Sequence, residues 1–199
     1  MPAFDLRHIQ CAKYVNTAGA ITYTNKTLVG DAMRAVLQMR FAEGRLYAES
    51  ALAELMRKCT GGTISLGVKY IKMAAQKLMF GLTEKTRSIT YTPSGGTSTT
   101  KSIVGLQTKK KTTGQYVGVS FYAPDMIDGT EKYTCVFLGK CLFGDPDMNL
   151  QTAGENIQFD TPTTTGEFLG DDSTDGAIKE VVIVDTEEEA IAWCDTVLS

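Results

Sequence analysis

The feature that most constrains this chain is a run of strand-forming residues from Tyr116 to Leu169. The run opens YVGVSFY and is rich in β-branched and aromatic side chains, with turn-forming clusters at Pro124–Gly129 and Gly144–Met148. Such side chains suit the half-buried surface of a sheet, and clusters of Gly, Pro and Asp separate strands. The pattern therefore predicts a mainly β fold with long strands.

A second strand signal lies upstream, at Leu28–Phe41. Alternate residues there are apolar: Met33, Ala35, Leu37, Met39 and Phe41. The residues between them include Arg34, Gln38 and Arg40. A period of two with one apolar face indicates a half-buried strand. We expect a turn at Ala42–Gly44 and a short return strand at Arg45–Ala48.

The remaining patterns predict shorter elements. The other expected strands are His8–Val15, Ala20–Thr24, Thr63–Val68, Arg87–Tyr91, Lys101–Thr108, Gln115–Tyr122, Glu131–Phe143, Glu155–Leu169 and Ile178–Val184. The expected helices are Ser50–Cys59, ended by Gly61-Gly62, then Tyr70–Phe80, ended by Gly81, and a last helix opened by a capping box at Thr186.

Two of these elements carry a burial prediction. The apolar run VVIV in Ile178–Val184 suits a strand that is buried on both faces. The last helix is expected to bury Ile191, Trp193, Cys194, Val197 and Leu198.

Length and composition suit one domain. The chain has 199 residues, of which 43% are hydrophobic, and no apolar run is long enough to span a bilayer. We expect a single domain over residues 1–199, with an N-terminal arm at 1–7, a variable loop region at 92–113 and a C-terminal helix at 186–199. The opening residues lack the pattern of a secretory signal, so we expect the protein to be made and kept in a cytoplasm.

Residues for catalysis or metal binding are sparse. His8 is the only histidine, no phosphate-binding glycine motif is present, and Asp171–Asp175 lacks the spacing of a calcium loop. The five cysteines are an odd number without a Cys-x-x-Cys pair, which favours reduced and mostly buried thiols. We therefore expect no enzyme activity, no catalytic residue, no metal site and no cofactor.

Charge is divided sharply along the chain, although the net charge is only −3. Residues 145–199 hold 14 acidic residues and one basic residue, whereas residues 1–144 hold 9 acidic and 19 basic residues. Either the two parts pair within one subunit, or the acidic part of one copy meets the basic part of another. The candidates for contact between subunits are Lys109, Lys110, Lys111, Asp145, Asp147, Asp171 and Asp172. The lysine run fits a solvated loop or a protected edge better than a nucleic-acid site, because no aromatic residues interleave it.

Several segments resemble, in order, the major tail protein of long-tailed bacteriophages, also called the tail tube protein. The resembling segments are GRLYAESALAE (44–54), GGTISLGV (61–68), YVGVSFY (116–122), FLGKCLF (137–143) and ENIQFDTPTTTGEF (155–168). The match covers most of the chain. The segment 92–113 departs from the family pattern, since it is longer and more basic.

The resemblance implies a tail-tube-type β-sandwich or barrel with flanking α-helices and long hairpins that join a β-barrel between subunits. In that family, hexameric rings stack into a hollow tube that conducts the genome into the host. The implied location is the virion tail, assembled in the cytoplasm of a host bacterium and not inserted in a membrane. The implied partners are the chain itself, a tape measure protein in the lumen, tail terminator and tail tip proteins, and DNA that passes without specific binding.

Under this interpretation, the candidate lumen-facing residues are Arg34, Gln38, Arg40, Lys132 and Thr134. Two alternatives remain. One is a tube protein of a bacterial contractile or secretion-type injection machine. The other is a monomeric Ig-like adhesion module, which predicts a closed sandwich without long hairpins.

Overall fold

Strands dominate the structure, a computed structural model that describes residues 5–48, 51–146 and 161–199. The strands are β1 (Arg7–Thr17), β2 (Ala20–Leu28), β3 (Ala32–Ala48), β4 (Ala51–Val68), β5 (Thr83–Tyr91), β6 (Thr99–Gln107), β7 (Val117–Ile127), β8 (Thr130–Phe143), β9 (Thr163–Leu169) and β10 (Glu180–Val184). The helices are α1 (Met73–Phe80) and α2 (Glu187–Thr196). The prediction of a mainly β fold with a few helices is confirmed.

The main sheet is antiparallel and follows the order β2-β1-β7-β8-β9-β4-β3. Strand β10 pairs with the first half of β8, while β9 pairs with its last four residues. Strands β5 and β6 form a separate two-stranded ribbon. The main path therefore ends at two edges, β2 and β3, and an edge strand leaves backbone groups on one side without a partner strand.

One apolar core joins both halves of this path. Its fully buried members include Ile9 of β1, Ile64 and Leu66 of β4, Val119 of β7 and Phe168 of β9. Helix α1 covers this core with its buried side chains, and the inner residues of β3 pack against its border. The core thus fixes which face of each strand turns inward.

Strand β4 comes very close to its neighbours at Gly61 and Gly62. A Cβ atom on Gly62 would lie 2.1 Å from the carbonyl oxygen of Gln38 and 2.4 Å from Cζ of Phe168. Gly61 has φ +122°, and the register with β3 shifts beside it, between Arg40 and Phe41. The register passes over Thr60, so Thr60 and Gly61 form a bulge inside a strand, and the prediction that Gly61 and Gly62 end a helix is wrong.

The helix termini follow the predicted chemistry. Gly81 ends α1 in the left-handed conformation, with φ 68°. At α2, the Thr186 hydroxyl accepts the Glu189 N–H at 3.3 Å, and the Glu189 carboxylate accepts the Thr186 N–H at 3.1 Å. The capping box is confirmed. In α2 and the residues after it, Cys194 and Leu198 are buried, and Ile191, Trp193 and Val197 are half-buried.

The predicted helix at Ser50–Cys59 is wrong. Residues from Ala51 onward belong to β4, which pairs with β3 from Ala48↔Ala51 upward. Residues 42–44 continue β3 and form no turn. Apolar residues spaced three and four apart satisfied a helical pattern, but the paired strand supplies hydrogen bonds along its whole length, and this tertiary pairing overrides a weak local preference.

Strand β10 also differs from expectation, because it pairs only with β8. Val181 is 46% exposed and Ile183 is 54% exposed, while Val182 and Val184 are half-buried. The prediction of burial on both faces is wrong. A short run of β-branched residues predicts a strand but not whether a second layer covers its outer face.

Three other boundaries move. Strand β7 continues to Ile127, so the predicted turn at Pro124–Gly129 shrinks to Asp128 and Gly129. Pro124 fits because the pairing of β1 with β7 ends at Arg7↔Tyr122, which leaves that side of the strand open. The region 92–113, expected to be a variable loop, contains all of β6. Of the strand expected at Glu155–Leu169, the structure describes only β9, and residues 155–160 lie outside the described residues.

Gly62→Ala should lower the free energy of unfolding by about 1–3 kcal/mol, because the new methyl group meets backbone and an aromatic ring. Gly105→Ala is the matched control: a Cβ there has only the Lys85 carbonyl oxygen near, at 4.0 Å. Urea unfolding followed by circular dichroism measures both variants. Equal stability of Gly62→Ala and the wild type would contradict the close packing at Gly62.

Candidate assembly surfaces

Half of the β3–β4 pair extends beyond the sheet. Strand β9 pairs with β4 only from Gly62 to Gly67. Residues 41–48 and 51–59 pair only with each other, through eight strand pairs. We call them the projecting hairpin, and at about 3.3 Å per residue it reaches roughly 25 Å beyond the bulge.

The projecting hairpin exposes apolar side chains on both faces. Phe41 and Leu55 lie on one face and are 47% and 53% exposed, and Leu46 and Met56 lie on the other and are 58% and 71% exposed. A groove of about 280 Å³ runs over Gly44 between Leu46 and Met56. An isolated two-stranded hairpin is marginally stable in water. Exposed apolar side chains on such a hairpin are typical of a surface that binds a partner.

Charged side chains cross-link one face of the hairpin. Glu43 accepts hydrogen bonds from Arg57 and from Arg45, the latter at 3.2 Å. These bonds hold the pKa of Glu43 below its usual range. The Arg57 guanidinium also lies 5.4 Å from the centre of the Phe41 ring. The charges on this face are therefore used within the hairpin, while the apolar side chains remain uncovered.

The predicted lumen-facing residues of β3 lie together on a polar face. Arg34, Gln38 and Arg40 are exposed and point away from the core, and Arg40 pairs with Glu167 of β9 at 3.0 Å. The same face carries hydroxyl side chains of β4 and β9 that the sequence analysis missed: Thr63, Ser65, Thr163 and Thr165. The sequence of β9, TTTGEFL, gave no signal for this face, because its alternation of exposed and buried residues appears only in the structure.

Lys132 and Thr134 do not join this polar face. They alternate with residues of β8 so that they share the side of Val136 and Leu138, which contact the core. Strand β7 pairs with both residues, and β10 pairs with Thr134. The Lys132 ammonium pairs with Asp185 at 2.8 Å, which raises the pKa of Lys132. The structure therefore divides the predicted lumen set between opposite faces of the sheet.

The predicted contact residues between subunits also separate. Lys109, Lys110 and Lys111 are exposed, and a backbone hydrogen bond of 2.8 Å from Thr112 to Lys109 closes their turn. The hydroxyl of Thr108, just before them, lies 3.4 Å from Asp145 of the same subunit. Asp147 lies outside the described residues. The lysine turn is thus free to bind a partner, but an acidic residue is already near it.

Asp172 is committed to contacts within the subunit. Its carboxylate pairs with Lys140 at 2.7 Å and accepts hydrogen bonds from Tyr14 at 2.9 Å and Asn16 at 3.1 Å. These three donors lower the pKa of Asp172 to about 2. The neighbouring Asp171 accepts from the Ser173 backbone at 3.1 Å and forms a local turn. Both aspartates therefore stabilise the subunit itself.

The charge division is resolved in part inside the subunit. In the described ranges, five of the 14 acidic residues of the C-terminal part pair with bases of the first 144 residues, as Arg7–Glu187, Lys26–Asp195, Arg40–Glu167, Lys132–Asp185 and Lys140–Asp172. Two of these pairs fix α2 and its start on the sheet. Internal pairing, the first of the two interpretations, thus accounts for part of the split.

All five cysteines are free, and four of them are buried: Cys11, Cys135, Cys141 and Cys194. Burial raises the pKa of Cys11 to about 12, so its thiol stays protonated at neutral pH. The expectation of mostly buried thiols is confirmed. Among the residues that the structure describes, no group of three or more His, Cys, Asp and Glu side chains could hold a metal ion. No helix within those residues is long and apolar enough to cross a membrane.

Comparison with known proteins does not assign a family. No protein-family model matches the chain, and no curated protein matches it. The likeness to tail tube proteins therefore rests on the sequence segments quoted above and remains a prediction.

Asp172→Asn should lower the thermal midpoint at neutral pH, because it removes the ion pair with Lys140. The folded-state pKa of Asp172 is depressed to about 2 from an ordinary value of 3.8. Its stabilisation is therefore present above pH 4 and is lost as the pH falls towards 2. The difference between wild type and variant should shrink over that interval, measured by circular dichroism melts.

Asp175→Asn is the matched control, since Asp175 is exposed in the same turn and has no partner among the described residues. It should melt like the wild type at every pH. A constant difference between Asp172→Asn and wild type from pH 6 to pH 2 would show that the ion pair contributes nothing.

Proposed function

We propose that this chain is the structural subunit of a hollow protein tube, of the kind that phage major tail proteins form. The observation that carries the proposal is the projecting hairpin, which extends beyond the sheet with exposed apolar side chains and an unpaired β3 edge. No catalytic chemistry is required of such a protein, since its product is its own assembled surface.

The edges of the sheet support assembly by strand pairing. Strand β3 is 17 residues long and has a partner only on its β4 side, and β2 leaves the opposite edge of the path open. Long edges with apolar side chains are a hazard in a monomer, because they pair with other chains. A closed ring of subunits pairs every edge with a neighbour and removes the hazard.

The polar face beside this edge supports a water-filled lumen. It combines Arg34, Gln38 and Arg40 with hydroxyl side chains, and Glu167 offsets Arg40. Each uncompensated cation near a phosphate adds affinity for DNA. A conduit must let DNA slide, so a hydrophilic wall with few uncompensated cations suits passage without binding. Lys132 and Thr134 are not part of this proposed wall.

The family resemblance supplies the rest of the proposal: hexameric rings stacked in a virion tail, a tape measure protein that fills the lumen, and terminator and tip proteins at the ends. A tube protein of a bacterial injection machine would use the same architecture. The projecting hairpin argues against a monomeric Ig-like module, which would keep its strands within a closed sandwich.

The purified wild-type protein should form hollow tubes or rings at high concentration in negative-stain electron microscopy. Leu46→Gln/Met56→Gln should prevent this without changing net charge, because it replaces the two apolar side chains that border the groove over Gly44. The variant should keep the wild-type thermal midpoint, since both side chains are more than half exposed.

Tyr70→Gln/Met73→Gln is the matched control, with two exposed apolar residues near α1, 48% and 44% exposed. It should assemble normally. Wild-type protein that stays monomeric at every concentration, or a hairpin variant that assembles like the wild type, would falsify the proposal.

Hydrogen exchange gives an independent prediction. In the free subunit, amides of residues 41–48 and 51–59 should exchange fast, because no core covers the hairpin and local opening costs little. In the assembled state they should become protected, while amides of the buried strand β7 stay protected in both states. Unchanged exchange in the hairpin on assembly would exclude it from the subunit interface.

A further inference from the structure

The β5–β6 ribbon carries a surface that no other part of the described chain covers. Its strands pair only with each other, from Thr83↔Gln107 to Tyr91↔Thr99. Every residue of β5 and the first six residues of β6 are exposed. Two-stranded ribbons are marginally stable alone, so a contact with another surface would stabilise this one.

The charge on the ribbon is concentrated on one face. Register and alternation place the three cations of the ribbon on this face together with three large apolar side chains. We call these six residues the cationic ribbon face: Lys85, Arg87, Ile89, Tyr91, Lys101 and Ile103. Its apolar members Ile89, Ile103 and Tyr91 are each between 41% and 45% exposed. A groove of about 250 Å³ runs along this face past Gly105, which has no side chain opposite Lys85.

The three cations of this face have no partner. Within the described parts of the chain, Lys85, Arg87 and Lys101 make no hydrogen bond or ion pair through their side chains. The opposite face differs: its one charged residue, Glu84, pairs with Lys77 at 2.8 Å, and the Thr90 and Thr100 hydroxyls bond each other at 2.9 Å. The ribbon therefore presents three uncompensated positive charges in one direction.

A surface of opposite charge lies at another end of the same subunit. The β7–β8 turn consists of Asp128 and Gly129. Strand β10 runs antiparallel to β8 with Val184 opposite Tyr133, which brings the start of α2 beside that turn. We call the resulting group the acidic tip: Asp128, Glu131, Asp185, Glu187, Glu188 and Glu189.

Part of the acidic tip is also without a cationic partner. Lys132 pairs with Asp185, and Arg7 pairs with Glu187. In the described residues, no cation pairs with Asp128, Glu131 or Glu188. Met126 is 45% exposed and lies directly opposite Glu131, so it shares the face of that carboxylate. The tip thus offers three acidic groups and apolar area to match three cations and apolar area on the ribbon.

We propose that the cationic ribbon face of one copy docks on the acidic tip of the next copy. This inference rests on the proposed tube function and adds to it one specific interface between subunits. The two surfaces are different patches of one chain, so their contact is heterologous and leaves a free ribbon and a free tip at each end. It therefore propagates head to tail, which a tube requires along its axis or around its ring.

The test uses the full chain and two variants matched in charge. Arg87→Gln/Lys101→Gln removes two positive charges from the ribbon face, and Thr86→Glu/Ser102→Glu adds two negative charges to the opposite face. Sedimentation and electron microscopy should show that the first variant needs an about tenfold higher concentration to assemble. The second variant should assemble like the wild type.

Gly105→Val supplies a variant that leaves every charge in place. It should fold normally, because a Cβ there has only a backbone oxygen near, at 4.0 Å. It should still weaken assembly, because its side chain fills the groove. Wild-type assembly should fall between 0.1 and 1 M salt, as the Debye length drops to about 3 Å, and the assembly of Arg87→Gln/Lys101→Gln should depend less on salt.

A mixing experiment identifies the partner surface. Asp128→Asn/Glu131→Gln/Glu188→Gln neutralises the tip and keeps a residue at position 128 that tolerates its positive φ of 52°. At the concentration at which the wild type assembles, neither the tip variant nor the ribbon variant should extend alone. When the two variants are mixed, the intact ribbon of the tip variant should bind the intact tip of the ribbon variant. The product should be a short complex and not a long tube, because no intact pair of surfaces remains at its ends.

The outcomes separate this inference from the proposed function. Tubes from both the ribbon and the tip variants at wild-type concentration would overturn the inference and leave the tube function standing. Wild-type protein without any self-association would overturn both. Arg87→Gln/Lys101→Gln could instead form tubes like the wild type but lose binding to a DNA oligonucleotide. That result would show that the cationic ribbon face binds nucleic acid, and it would overturn the inference.

Discussion

The pairing of β3 with β4 is the constraint on which the rest of the structure depends. Every backbone amide in a strand needs a partner, and these two strands supply each other along their length. Above the bulge at Gly61, the pair carries β9 on its other side and packs its inner face on the core. Below the bulge, the same ladder continues with no third strand and no core.

This division gives one element two roles. The buried half stabilises the subunit through side chains such as Ile64 and Leu66, which are fully buried. The described side chains of the projecting half have no comparable burial in the subunit. The bulge marks the boundary, because a change of register at Arg40 and Phe41 bends the strand where its surroundings change.

The sequence predicted what local chemistry determines. The polar face of Arg34, Gln38 and Arg40, the capping box at Thr186 and the helix end at Gly81 each depend on residues within a few positions of one another. The helix expected at Ser50–Cys59 is wrong because residues 51–59 pair with the preceding strand β3, from Ala48↔Ala51 to Phe41↔Cys59, and the apolar spacing within the segment does not indicate that pairing. The exposure of Ile183 and the separation of Lys132 from Arg34 depend on strand order, which alternation along one strand does not specify.

The charge division is a second feature whose partners the sequence could not specify. Composition predicted that acidic and basic parts would meet, but not whether they do so within one copy. The structure uses Glu187 and Asp195 to hold α2 against the sheet, and Asp172 to hold a turn against β1 and β8. What remains for a partner is smaller than the raw count of charges, and it lies at the ribbon and the acidic tip.

Strand direction adds a last constraint on assembly. Six antiparallel steps separate β2 from β3 along the main path, so the two edge strands point the same way. Rotation about an axis that runs along the strands preserves that direction, and β3 of one copy would then meet β2 of the next in parallel. A two-fold axis would instead pair β3 with β3 in antiparallel fashion and leave both β2 edges open, so further growth would need a second kind of contact, β2 with β2. The rotational arrangement extends through one repeated contact of β3 with β2, as the proposed ring requires. Because β2 has 9 residues and β3 has 17, β2 would cover only part of β3 in such a ring.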